Sequence, residues 1–174
     1  MNDLDSVQKE IVNSTESKIL VVAGSGSGKT RVLTERIKHL LSNGVNPKGI
    51  VAITFTNAAA DEMRERLGKE ADDVYIGTIH GYANRLLLIG GLETHQYIEE
   101  ENFDEFFSVI KKHPEVIVPV EHLLVDEFQD IDDNQYDFLI NMINPDNFFL
   151  VGEIYIVGAG VMFNTFSHLP MTLQ

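Results

Sequence analysis

The run Ala23-Gly24-Ser25-Gly26-Ser27-Gly28-Lys29-Thr30 sits directly behind the apolar stretch Ile19-Leu20-Val21-Val22. Glycines at alternate positions let a backbone wrap an anion so closely that several N–H groups point at it. A lysine closing such a loop reaches the outer phosphates of a nucleoside triphosphate, and the hydroxyl of the next residue, Thr30, suits a Mg2+ ion. The apolar stretch reads as a strand, and Lys29 opens a helix-period segment whose positive end faces the same anion. The cofactors expected are therefore ATP and Mg2+. All eight residues, Ala23, Gly24, Ser25, Gly26, Ser27, Gly28, Lys29 and Thr30, form the candidate nucleotide site, with Ala23 where the GxxxxGK[ST] template carries glycine.

A chain of 174 residues with 44% apolar residues can build a real core, and one globular domain is expected. Cysteine is absent, which excludes disulfides, thiolate nucleophiles and Cys-ligated zinc. No apolar stretch approaches the roughly 20 residues that span a bilayer, so the expectation is a cytoplasmic protein with no membrane partner. Charge complicates any role on nucleic acid: 13 Lys+Arg against 27 Asp+Glu give −14, whereas nucleic-acid proteins usually show a basic footprint. The deficit is uneven, since residues 113–174 contain neither Lys nor Arg.

Short apolar runs alternate with helix-period segments, a βα rhythm that implies a mostly parallel sheet covered by helices on both faces. Helices are expected over Leu4–Val12, Lys29–Ser42, Asn57–Leu67 with Asn57 as cap, about 79–88, and Asp133–Ile143. Strands are expected over Ile19–Val22, Ile50–Thr56, Val74–Thr78, His122–Val125 and Asn147–Val151. Residues 90–120 read as an acidic, helical insertion whose Phe103, Phe106, Phe107, Val109 and Ile110 have core-like spacing. The tail from Gly158 to Gln174 carries no strong pattern.

Leu123-Leu124-Val125-Asp126-Glu127 is an apolar strand that delivers two carboxylates at its C-terminal end, where open α/β sheets bind ligands. Alone, an Asp-Glu pair after a strand is also what a solvated turn looks like. Beside a phosphate loop it takes defined roles: Asp126 holds Mg2+ with Thr30, and Glu127 polarises an attacking water as general base. Lys29 completes the catalytic set.

The remaining segments resemble, in order, the motifs of the UvrD/Rep-type superfamily-one DNA helicases. Leu4-Asp5-Ser6-Val7-Gln8-Lys9-Glu10-Ile11-Val12 is similar to their N-terminal glutamine motif, which implies that Gln8 reads the adenine edge, as an amide that donates and accepts at once can. Ile53-Thr54-Phe55-Thr56-Asn57-Ala58-Ala59-Ala60-Asp61-Glu62-Met63 resembles motif Ia, with Ala58 where the family commonly has lysine. Gly77-Thr78-Ile79-His80-Gly81-Tyr82-Ala83-Asn84-Arg85-Leu86-Leu87 resembles motif Ib. The resemblance implies single-stranded DNA contacts at Thr56, Asn57, Thr78, His80 and Arg85; taken singly, such residues also serve as helix caps or surface groups. Asp126-Glu127-Phe128-Gln129-Asp130 completes motif II, in which Gln129 and Asp130 couple the nucleotide to neighbouring elements.

Later the pattern departs. Leu150-Val151-Gly152-Glu153 resembles the start of motif III, whose family form continues to a glutamine and an arginine-bearing segment. This chain instead reads Ile154-Tyr155-Ile156-Val157-Gly158-Ala159-Gly160. The expected fold is thus an α/β P-loop NTPase of the RecA-like kind over 1–153, with a short helical insertion at about 90–120 and a divergent tail at 154–174. The family's second RecA-like domain has no counterpart in the sequence, and a partner supplying it in trans is implied. An ATP-dependent helicase domain and a degenerate, non-enzymatic ATP-binding module both remain open. A small-molecule kinase would leave the ordered motifs unexplained.

Overall fold

A computed structural model describes residues 4–24, 26–153 and, for the backbone alone, 171–173. Ser25 of the glycine-rich loop and the divergent residues 154–170 and 174 lie outside the described residues. Five strands, β1 (Lys18–Val22), β2 (Ile50–Ile53), β3 (Tyr75–Gly77), β4 (His122–Val125) and β5 (Asn147–Gly152), form a wholly parallel sheet in the order β3-β2-β4-β5-β1. A short β6 (Met171–Leu173) pairs on the outer side of β1. The expected α/β, P-loop-type sheet architecture is thus what the chain adopts. Among the described residues no helix is long and apolar enough to cross a membrane.

The strands are continuous apolar runs because both faces of the sheet are covered. All four residues of β2 are buried, and Leu123, Leu124 and Val125 of β4 have no exposed surface. Side chains alternate strictly between two cores. Leu20, Val51, Ile53, Leu123, Val125, Phe148 and Leu150 face one side, where α4 (Ile79–Ile89) and α6 (Glu105–Lys112) pack through Tyr82, Leu86, Phe106 and Ile110. Ile19, Val21, Ile50, Ala52, Leu124, Phe149 and Val151 face the other, against α2 (Lys29–Ser42) and α3 (Asn57–Leu67) through Leu33, Ile37 and Met63. The period-two pattern of each strand therefore feeds two separate layers. The first helix, α1 (Ser6–Asn13), is tied to α2 by Arg36, whose guanidinium donates to the carbonyls of Val12 at 2.6 Å and Ser14 at 2.7 Å.

Several expected boundaries shift for local reasons. β2 stops at Ile53 rather than Thr56, because the Thr54 hydroxyl donates to the Thr56 carbonyl at 2.9 Å and turns the chain away from the sheet. Thr56, not Asn57, then caps α3, its Oγ1 accepting the Ala59 N–H at 3.1 Å, so Asn57 is the first helical residue. The predicted helix over 133–143 is one α turn, α7 (Asp133–Tyr136), that widens into a π-helical turn over Asp137–Met142. The consecutive Phe138 and Leu139 are both fully buried there. The segment 92–120 holds α5 (His95–Glu99), α6 and a 3-10 turn at Pro114–Val116. Phe106, Phe107 and Ile110 belong to the core beneath it, whereas Phe103 stays 39% exposed. Residues 171–173, in a tail without a legible pattern, extend the sheet.

Burial of His122 at the start of β4 holds its imidazole below the ordinary value of 6.5, although Glu121 and Asp146 pull the other way. The unfolded chain therefore takes up this proton first as the pH falls, so stability declines below about pH 6.5. His122→Gln should flatten that decline, which urea denaturation at intervals between pH 7.5 and 5.5 would measure.

Candidate functional site

Parallel pairing places the C-terminal ends of β1, β5 and β4 side by side on one edge, each strand about 4.8 Å from the next. The loop after β1 and the carboxylates after β4 therefore face each other across the end of β5. The loop begins with the Ala23 N–H donating to the Gly152 carbonyl at 3.1 Å, and it turns through the Ser27 N–H to the Gly24 carbonyl at 3.2 Å. Gly26 and Gly28 have φ of 75° and 85°, values that favour glycine. Gly28 is also the N-terminal cap of α2 and offers no side chain to satisfy the first-turn N–H groups, which leaves them for an anion.

Lys29 is buried, at 7% exposure. Its ammonium donates to Glu153 Oε1 at 2.5 Å and to the Ala23 carbonyl at 3.4 Å, and it lies 3.9 Å from Glu127 Oε2. The Thr30 hydroxyl donates to Asp126 Oδ2 at 2.7 Å, joining residues 96 apart in sequence. Burial raises the Asp126 carboxyl above the ordinary 3.8 and the adjacent Glu127 charge adds to this. The Thr30 hydroxyl, the Glu127 N–H and Lys29 oppose it. Two hard oxygens in contact, beside a buried ammonium and an uncapped helix end, form a donor set that fits Mg2+ and a polyphosphate.

Glu127 occupies the left-handed region at φ 50°, ψ 48°, an uncommon conformation for a non-glycine residue. That turn returns its N–H to Asp126 Oδ1 at 3.0 Å and brings its carboxylate to Gln129, whose Nε2 donates to Glu127 Oε2 at 2.8 Å. The other end of the same amide, Gln129 Oε1, accepts the Glu153 N–H at 2.8 Å. Gln129 therefore bridges the ends of β4 and β5, lying over Gly152 where no side chain intervenes.

Gln8 is the third residue of α1 and shares a reciprocal capping box with Asp5. It accepts the Asp5 N–H at 3.1 Å on Oε1 and donates from Nε2 to the Ser27 carbonyl at 3.1 Å. One amide hydrogen and one acceptor position remain for a ligand. Beside it opens a cavity of about 350 Å³ with walls from Ile11, Val21, Val22 and Val32.

Of the DNA candidates, Thr56, Asn57, Thr78 and His80 follow the C-terminal ends of β2 and β3 on the same edge of the sheet, while Arg85 lies midway along α4. Thr56 and Thr78 are helix caps, Thr78 accepting the Gly81 N–H at 3.2 Å, while Asn57 is exposed at the start of α3. Arg85 is exposed, with its guanidinium 5.9 Å from the centre of the Tyr75 ring. His80 instead turns toward the insertion, stacked on Phe107 with ring centres 5.3 Å apart and 3.2 Å from Asp104 Oδ1. The sequence reasoning missed two neighbours: Glu153, the direct counter-charge of Lys29, and Phe55, an aromatic 63% exposed beside Thr56. The signal for Glu153 was available, as an acidic residue directly after a strand that flanks the loop strand.

A family model described as the UvrD/REP helicase N-terminal domain matches residues 4–118. The chain belongs to this family. Over 92 residues it is 50% identical to the ATP-dependent DNA helicase PcrA of Bacillus subtilis (strain 168), the match covering 50% of this chain and 12% of that protein. It is 46% identical over 92 residues to PcrA of Staphylococcus aureus (strain Mu50 / ATCC 700699), covering 50% of this chain and 13% of that one. For PcrA of Leuconostoc citreum the figures are 49% over 92 residues, 49% and 12%. The matched half of the chain thus spans about an eighth of the length of these helicases. The UvrD/REP match ends before Asp126 and does not cover the carboxylate pair.

A Cβ at position 152 would lie 2.6 Å from Gln129 Oε1 and 3.3 Å from the Gln129 nitrogen, so Gly152→Ala must push the amide aside. We expect a loss of about 1–3 kcal/mol. The loss should be less than additive with Gln129→Ala in a double-mutant cycle by urea denaturation, because both changes remove the same bridge.

Proposed function

We propose that this chain is the ATP-binding N-terminal motor domain of a UvrD/Rep-like ATP-dependent DNA helicase, binding Mg-ATP and, weakly by itself, single-stranded DNA. The observation that carries the reading is the Thr30 to Asp126 hydrogen bond of 2.7 Å beside the buried Lys29, which brings two distant motifs into one donor set. In this reading Ala23, Gly24, Ser25, Gly26, Ser27 and Gly28 wrap the phosphates and Lys29 neutralises them. Thr30 and Asp126 hold Mg2+, which lowers the charge on the transferring group. Glu127 orients water with its carboxylate fixed by Gln129, and the free donor and acceptor of Gln8 meet the adenine edge over the apolar cavity.

Thr56, Asn57, Thr78 and Arg85 offer hydroxyl, amide and guanidinium groups to a phosphodiester backbone along the sheet edge, and Phe55 offers a stacking face to a base. His80 joins them only by leaving Asp104. The arginines of α3 are engaged by carboxylates, Arg64 with Asp61 and Arg66 with Glu62, which fits weak binding of DNA. The homologues named above are DNA helicases, which supports this assignment of partner; a second RecA-like domain or subunit acting in trans, and a cytoplasmic setting, belong to the same proposal.

A second reading, a non-enzymatic ATP-binding regulatory module derived from such a helicase, is favoured by one observation: residues 113–174 offer no Lys or Arg to stabilise the transition state. An arginine supplied to this charge is worth roughly 10³ to 10⁵ in rate. ATP turnover with and without single-stranded DNA separates the two readings. Slow turnover that DNA stimulates and that Lys29→Ala abolishes supports the motor domain, and tight Mg-ATP binding with zero turnover supports the module. In either case the 174-residue polypeptide should show no ATP-driven strand displacement on a forked duplex, and unwinding by the purified chain would refute that part of the proposal.

A further inference from the structure

We infer that Glu153 is an internal stand-in for phosphate: its carboxylate occupies the Lys29 ammonium in the nucleotide-free chain and must turn away before a polyphosphate can seat. This rests on the nucleotide-site reading above and adds to it a residue that sets the affinity threshold. An ammonium with a side chain only 6% exposed needs a counter-charge, because an unpaired buried charge is strongly destabilising. Of the carboxylates described at this end of the sheet, Asp126, Glu127 and Glu153 lie toward Lys29, and they are not equivalent. Asp126 is engaged by Thr30, Glu127 is held by Gln129 and stands 3.9 Å from Lys29, and Glu153 makes the 2.5 Å contact.

The strand order explains why. β5 lies between β1 and β4, so the first residue beyond it projects between the lysine of one neighbour and the carboxylates of the other. The backbone there is fixed independently of the side chain, since the Gly152 carbonyl accepts from Ala23 and the Glu153 N–H donates to Gln129. A change of the Glu153 rotamer would therefore leave these backbone contacts of the strand end in place. A triphosphate brings more charge than one carboxylate and gains the loop N–H groups as well, so it displaces Glu153, but with affinity reduced by the contact it must break.

Isothermal titration of the whole 174-residue chain with Mg-ATP and with Mg-tripolyphosphate, which lacks the adenine that Gln8 would read, tests this. Glu153→Gln and Glu153→Ala should each tighten both ligands about tenfold. At the same time each should lower the melting temperature of the nucleotide-free chain, because Lys29 loses its counter-charge. That pair of opposite changes is what a displaced internal anion produces. A lower melting temperature with unchanged binding would mean a purely structural contact, and weaker binding would mean that Glu153 assists the ligand; either overturns the inference. If Mg-ATP binds equally well to wild type and Lys29→Ala, or to none of the proteins including the Glu153 variants, the nucleotide site itself is refuted and the stand-in with it. If only the Glu153 variants bind, the stand-in is supported in its strongest form.

Discussion

Burying a lysine at the mouth of a parallel sheet imposes conditions on everything around it. Lys29 leaves water because α2 must pack Leu33 and Ile37, both fully buried, against the sheet, and this docks its first turn close over the strand ends. The ammonium then requires negative charge on its open side, and the ends of β4 and β5 supply it. The concentration of acid at this edge is tolerable only because each carboxylate has a donor of its own: a hydroxyl for Asp126, an amide for Glu127 and the ammonium for Glu153.

Gln129 makes this arrangement a connected unit. One planar amide touches a side chain after β4 and the backbone after β5, and a glycine beneath it gives the clearance. The Glu127 carboxylate and the backbone nitrogen of Glu153 are thereby joined through a single side chain. The left-handed turn at Glu127 fits the same picture, since an extended residue there would carry its carboxylate away from the amide.

Much of this was legible in the sequence because the informative signals are local. A glycine-rich loop between strand and helix periodicities, and apolar runs ending in acids, point to the α/β layers and to the two segments that meet through Thr30 and Asp126. The five-strand order, in contrast, depends on which runs pair, and no local pattern encodes that. The boundaries that moved did so through side-chain to backbone competition: Thr54 ended β2 early, and Thr56 took the capping role expected of Asn57. The motif resemblance implies a DNA contact at His80, whereas its ring packs against aromatic residues of the insertion more than 20 positions away. Glu153 ends an apolar run as Asp126 does, but no local pattern encodes its contact with a lysine 124 residues earlier.

The pairing of β1 with β5 has one more consequence. Lys18 lies opposite Phe148 and Val22 opposite Gly152, so the strand that carries the loop acquires this neighbour only when the chain has been made nearly to its one hundred and fiftieth residue. Because β1 touches no other strand of residues 4–153, a growing chain holds this strand as an unpaired apolar ribbon until β5 has been made. The strand that carries the loop is thus paired well after its place in the sequence, and any competence to hold a ligand waits on β5.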